Sequence, residues 1–108
     1  MKNVTIYVDV DLTLVDPQGR LLDGAPEGLR MLKARNCRLY LWSTAGAEYA
    51  RAVAMRYQLA DMFEGFASKP DIIIDDMPST ALEPFVFNPN DYATWPELAE
   101  KLLRKHVD

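Results

Sequence analysis

Val4-Thr5-Ile6-Tyr7-Val8 runs straight into Asp9-Val10-Asp11-Leu12-Thr13. A short run rich in β-branched and aromatic residues predicts a buried strand. Period-two geometry puts Asp9 and Asp11 on the same side of the chain as it leaves the sheet. Two carboxylates aimed at one small volume repel each other unless a cation or a proton lies between them. An acidic pair at the carboxyl end of a first strand is the feature around which the rest of the chain is read.

Three further pieces end other apolar runs. Cys37-Arg38-Leu39-Tyr40-Leu41-Trp42 stops at Ser43-Thr44-Ala45-Gly46, small hydroxyl residues ahead of a helical stretch. Gly65-Phe66-Ala67-Ser68 leads to Lys69-Pro70, and Ile72-Ile73-Ile74 ends in Asp75-Asp76. Open α/β sheets bind ligands beyond the carboxyl ends of their strands. Asp9, Asp11, Ser43, Asp75 and Asp76 are expected to collect there, with Lys69 on the adjoining loop. Four acids, one ammonium and a hydroxyl beside a helix N-terminus describe a site for a divalent metal and a phosphoryl group.

In these ordered pieces the chain resembles the haloacid dehalogenase-like superfamily of phosphohydrolases, from Val4 to the final helix. The family's Asp-x-Asp-x-Thr motif corresponds to Asp9-Val10-Asp11-Leu12-Thr13, and its strand ending in Ser or Thr to Leu41-Trp42-Ser43. Its Lys, commonly followed by Pro, corresponds to Lys69-Pro70, and its paired acids after an apolar strand to Asp75-Asp76. Leu12 stands where many members have Gly, a change expected to affect loop shape rather than chemistry. Caps in that family fall between the first and second motifs or the second and third. Here those intervals hold only a loop plus one helix, and one helix plus a short strand. The resemblance therefore implies a small phosphatase without a cap domain.

The roles it implies follow the chemistry of each residue type. Asp9 is the expected nucleophile, forming an aspartyl-phosphate that water then hydrolyses. Asp11, two residues on, is the expected acid for the leaving group and base for the water. Ser43, with Thr44 competing for the job, is expected to bind a phosphoryl oxygen, helped by backbone amides at the following helix start. Lys69 is expected to bind phosphate and to keep the nucleophile ionised. Asp75 and Asp76 are expected to ligate Mg²⁺ together with Asp9 and Asp11, Asp11 through its backbone carbonyl. The expected substrate is a phosphorylated small molecule, a sugar phosphate or a phosphoprotein. An open site without a cap also leads us to expect a homo-oligomer.

Length and composition bound these expectations. A chain of 108 residues makes one domain spanning 1–108. A net charge of -4 argues against nucleic acid or an anionic membrane surface as partner. Cys37 is the single cysteine, which excludes an intramolecular disulfide and a cysteine-based zinc site. It is expected to be buried and inert. Met1-Lys2-Asn3 leads directly into the first strand, predicting no signal peptide and a cytoplasmic location.

Strand and helix patterns alternate along the chain. Strands are expected at Val4–Val8, Arg38–Trp42, Phe63–Phe66, Asp71–Ile74 and Glu83–Phe87. Pro26 and Glu27 open a helix carrying Leu29, Met31 and Leu32. A second helix runs from about Ala45 to Tyr57 with Tyr49, Val53 and Tyr57 as its apolar face. Thr94-Trp95-Pro96-Glu97 fits a capping box for a last helix with Leu98, Leu102 and Leu103 inward. His106 near its end is expected to be solvated. The predicted fold is a three-layer Rossmann-like α/β sandwich around a mainly parallel sheet. Two other functions fit parts of the pattern. A receiver-type signalling domain shares the size, acidic pair and Lys-Pro, but its phosphorylated Asp follows the third strand. A catalytically weak phospho-ligand-binding or regulatory protein on the same scaffold is the other.

Overall fold

Three parallel strands, β1 (Thr5–Asp9), β2 (Arg38–Ser43) and β3 (Gly65–Ser68), lie side by side in that order. The computed structural model describes residues 3–70, 72, 74, 87 and 89–108. Asp9 pairs with Trp42 across the first ladder, and Ser43 with Ser68 across the second. The three strand ends therefore deliver Asp9, Ser43 and Lys69 to one edge of the sheet.

The helices are α1 (Ala25–Ala34), α2 (Ala47–Arg56) and α3 (Trp95–His106). Both connections step the same way across the sheet, so right-handed crossovers put α1 and α2 on one face. That face carries Val8, Leu39 and Leu41, and the helices bury Leu29, Leu32, Ala50 and Ala54 with them. The opposite face presents Thr5, Tyr7, Arg38, Tyr40 and Trp42, all exposed or half-exposed. Tyr7 and Tyr40 stack with ring centroids 5.1 Å apart, and Trp42 tilts against Tyr7 at 4.7 Å. The α/β class and the parallel sheet are as expected from the sequence.

Ile72 and Ile74 lie in no strand and keep 80% and 97% of their surface exposed. Only Lys69 and Pro70 separate β3 from the expected strand, whereas a parallel neighbour needs a crossover of about a dozen residues or more. Asp71 and Ile73 lie outside the described residues, as does the expected strand at 83–86. Phe87 stacks on Tyr92 and meets His106 edge-on at 5.6 Å, so this histidine is half-buried against a ring rather than solvated.

α3 begins as its sequence dictates. Thr94 Oγ1 accepts the Glu97 N–H at 3.2 Å, and Glu97 Oε2 accepts the N–H of Ala93 at 3.0 Å. This is the capping box displaced by one residue on its return arm. Trp95 is buried between α1 and the loop after β1. A Cβ on Gly28 would stand 2.7 Å from the Trp95 ring, so only glycine lets the two helices approach this closely. The indole Nε1–H donates to the Thr13 carbonyl at 3.1 Å.

The loop after β1 folds on itself. The Val10 carbonyl accepts N–H groups of Thr13, Leu14 and Val15, and Leu14 and Val15 are fully buried. Asp16 Oδ1 accepts the N–H groups of Gln18 and Arg20, forming a turn with Gly19 at φ 80°. The Arg20 amide, followed by the Gln18 amide and the Arg20 guanidinium, holds the Asp16 carboxyl below its ordinary range. Tyr57 closes the loop from α2 by donating its hydroxyl to the Gly19 carbonyl.

Leu12 sits at φ 62° with 58% of its surface exposed. A left-handed backbone costs an L-residue about 1–2 kcal/mol, whereas glycine adopts it freely. Glycine also loosens the unfolded chain by about 0.4–1 kcal/mol, which offsets part of the gain. Leu12→Gly is expected to raise stability by up to about 1 kcal/mol, read as a higher denaturation midpoint in urea. A fall of the midpoint would show that the Leu12 side chain packs more than its exposure indicates.

No helix among the described residues is long and apolar enough to cross a membrane.

Candidate functional site

Asp9 ends β1 half-buried, and Lys69 follows β3 on the same edge of the sheet. Their side chains meet, Lys69 Nζ lying 3.2 Å from Asp9 Oδ1. Both are about one-third exposed, at 32% and 31%, so the pair is reachable by a ligand. The Lys69 backbone is fixed as well, its N–H donating to the Ser43 carbonyl at 3.0 Å. The ammonium also lies 5.7 Å from the Trp42 ring centroid, within cation–π range. One lysine therefore touches a carboxylate and an indole at the end of a sheet.

Asp11, two residues past the end of β1, is exposed. Its Oδ1 accepts the hydroxyl of Tyr49 at 2.7 Å. That bond, followed by desolvation and by the charges of Asp11 and Asp9, pushes the Tyr49 phenol above its usual range. Tyr49 is thus a firm donor at neutral pH, and both acids of the first motif act on it.

Tyr49 is the site residue that sequence reading assigned elsewhere. Periodicity predicts it on the apolar face of α2, but the buried positions of that helix are Ala50 and Ala54. The core face is turned by one residue because two alanines let the backbone lie close to the sheet. Val53 and Tyr57 flank this face, while Tyr49 keeps 38% of its surface exposed and points to the strand ends. Its place in the first turn of the helix after Ser43 is the signal that could have found it.

Ser43 is 1% exposed, and its Oγ accepts the Ala45 N–H at 3.0 Å, leaving the hydroxyl proton to donate. Thr44 is exposed beside it. The amides expected to help bind phosphate are engaged within the protein. Gly46 N–H donates to the Ser43 carbonyl, and Ala47 N–H donates to Ser68 Oγ at 3.1 Å. These bonds fix the entry of α2 instead of presenting free donors.

Among the described residues, no group of three or more His, Cys, Asp or Glu is gathered as a metal site. Asp9 and Asp11 stand as a pair, and Asp75 and Asp76 lie outside the described residues. Cys37 is buried as expected, and desolvation pushes its thiol up, keeping it protonated. Comparison with known proteins finds no matching family, no matching curated protein and no matching solved structure.

Proposed function

We propose that this protein is a Mg²⁺-dependent phosphohydrolase that cleaves phosphate monoesters through an aspartyl-phosphate on Asp9. The observation that carries the reading is the Asp9–Lys69 pair at the carboxyl edge of the sheet, with Tyr49-bound Asp11 two residues away. A nucleophilic carboxylate needs a cation beside it to receive a phosphoryl group, and Lys69 supplies a compact one. The same constellation accords with the resemblance of the four ordered sequence motifs to haloacid dehalogenase-like phosphatases.

Asp9 attacks phosphorus opposite the ester oxygen. A P–O bond to Asp9 forms, the ester P–O bond breaks, and Asp11 gives its proton to the departing oxygen. Asp11, now a carboxylate, takes a proton from water as that water attacks phosphorus. Phosphate leaves and Asp9 is regenerated. Tyr49 orients this exchange by holding Oδ1 of Asp11, which directs Oδ2 to the proton transfer. Lys69 steadies the phosphoryl oxygens throughout.

The donor set suits a hard divalent cation, since Asp9 offers carboxylate oxygens, Asp11 a backbone carbonyl, and the chain places Asp75 and Asp76 after them in sequence. When bound, Mg²⁺ would neutralise charge on the phosphoryl group as it transfers. Asp9, the Asp11 backbone carbonyl, Asp75 and Asp76 are the residues that would hold it.

Turnover of a generic aryl phosphate is expected to stop in excess chelator and to return on adding Mg²⁺. Full activity in chelator, with metal analysis of the same sample finding none retained, would refute the metal-dependent reading.

A further inference from the structure

The sheet face opposite the helices carries three aromatic side chains whose positions are set by strand register. Tyr7 and Tyr40 are direct partners across β1 and β2, and Trp42 is the partner of Asp9. The two tyrosine rings lie 15° from parallel, and Trp42 closes the row at the end nearest the catalytic pair. Tyr7 remains 48% exposed. Gly65 stands beside Tyr40 on β3, where a Cβ would come 3.2 Å from its ring. The row is thus packed internally and open outward.

What distinguishes it from an ordinary exposed cluster is its continuity with the anion site. Lys69 Nζ is 3.2 Å from Asp9 Oδ1 and 5.7 Å from the Trp42 centroid. An anion held at Lys69 therefore has the indole as its neighbouring wall. A ring bonded directly to the ester oxygen lies next to phosphorus, so a phosphate at Lys69 leaves such a ring beside the indole. Aromatic faces bind other rings by offset or edge contacts.

We propose that Trp42 and Tyr7 form a platform for the leaving group, and that the substrate class is an aryl phosphate, its ring on Trp42 and its phosphate at Lys69. The platform rests on the phosphohydrolase reading for its anchor. It assigns specificity to the sheet itself, in a chain whose motif intervals leave no space for a cap.

Calorimetric titration in Mg²⁺ buffer with two non-hydrolysable probes, phenylphosphonate and methylphosphonate, tests it. The protein is expected to bind phenylphosphonate about three- to tenfold more tightly, the range given by one aromatic contact. Trp42→Ala and Tyr7→Ala should each bring the ratio of the two affinities, measured in the same variant, toward one. Equal binding of both probes by the unaltered protein would overturn the platform and leave the phosphohydrolase reading standing. Binding of neither probe would remove both.

Two further arms distinguish the source of the ring and a competing use of the face. Free phosphotyrosine and a phosphotyrosyl peptide, with turnover followed, report whether a free aryl phosphate or a protein-borne one is preferred; equal or faster turnover of phosphoserine would count against the platform. Light scattering on the same variants checks for a second copy of the chain. A dimer dissociated by Tyr7→Ala, with the probe preference unchanged, would assign the rings to self-association and refute the proposal.

Discussion

Asp9→Asn is expected to lower phosphatase turnover by about a thousandfold or more and to abolish phospho-enzyme formation, because an amide oxygen is a far poorer nucleophile than a carboxylate. Asp11→Asn should behave differently. Its amide keeps a carbonyl oxygen for the Tyr49 hydroxyl, so the loop geometry is conserved while the proton shuttle is lost. With a leaving group that needs little protonation, this variant should still phosphorylate residue 9 and then hydrolyse it slowly. Intact-mass and peptide mapping should find phosphate accumulating on Asp9 in Asp11→Asn and absent in Asp9→Asn. Phosphate on Asp75 or Asp76, or undiminished turnover by Asp9→Asn, would overturn the assignment and favour the receiver-like alternative.

The second large effect concerns stability and involves no assumption about chemistry. Trp95 is 5% exposed, fills the gap opened by Gly28 and bonds to the Thr13 carbonyl. Trp95→Ala should cost about 3–5 kcal/mol, the range for emptying a buried aromatic position. That is a large share of the about 5–15 kcal/mol that stabilises an ordinary domain. Gly28→Ala should destabilise from the opposite direction, by about 1–3 kcal/mol, because its new methyl meets the Trp95 ring and carbonyl. Urea denaturation followed by circular dichroism measures both. Two variants with midpoints equal to the unaltered protein would show that α1 and α3 do not meet at this contact.

The parts of the fold legible in the sequence are those fixed by local chemistry. β1 is a short β-branched and aromatic run, β2 alternates leucines with Tyr40 and Trp42, Pro26 opens α1, and Thr94 with Glu97 starts α3. Each follows from a few neighbouring residues. The misread parts depend on partners far along the chain. Ile72 and Ile74 have the composition of a buried strand, but the two residues after β3 give no crossover to carry them into parallel register. Tyr49 has helical spacing with Val53 and Tyr57, yet the close approach of Ala50 and Ala54 to the sheet decides which face turns inward. At the candidate site, the meeting of Asp9 with Lys69 was legible because unlike charges at strand ends have few structural uses. The Tyr49–Asp11 bond was hidden because a tyrosine in an amphipathic helix ordinarily serves packing.

The bond from Trp95 to Thr13 also sets the order in which the protein can be made. It joins groups 82 positions apart, and closing a loop of that length costs about 4 kcal/mol of chain entropy. The Arg35–Asp108 ion pair spans 73 positions in the same direction. During synthesis the sheet strands emerge first, yet the loop carrying Asp11 and Thr13 lacks its support until α3 has left the ribosome. Assembly of the loop beside Asp9 and Lys69 is therefore a late event, tied to the docking of α3. Pulse-labelled hydrogen exchange would register this as amides of residues 12–15 gaining protection together with those of α3.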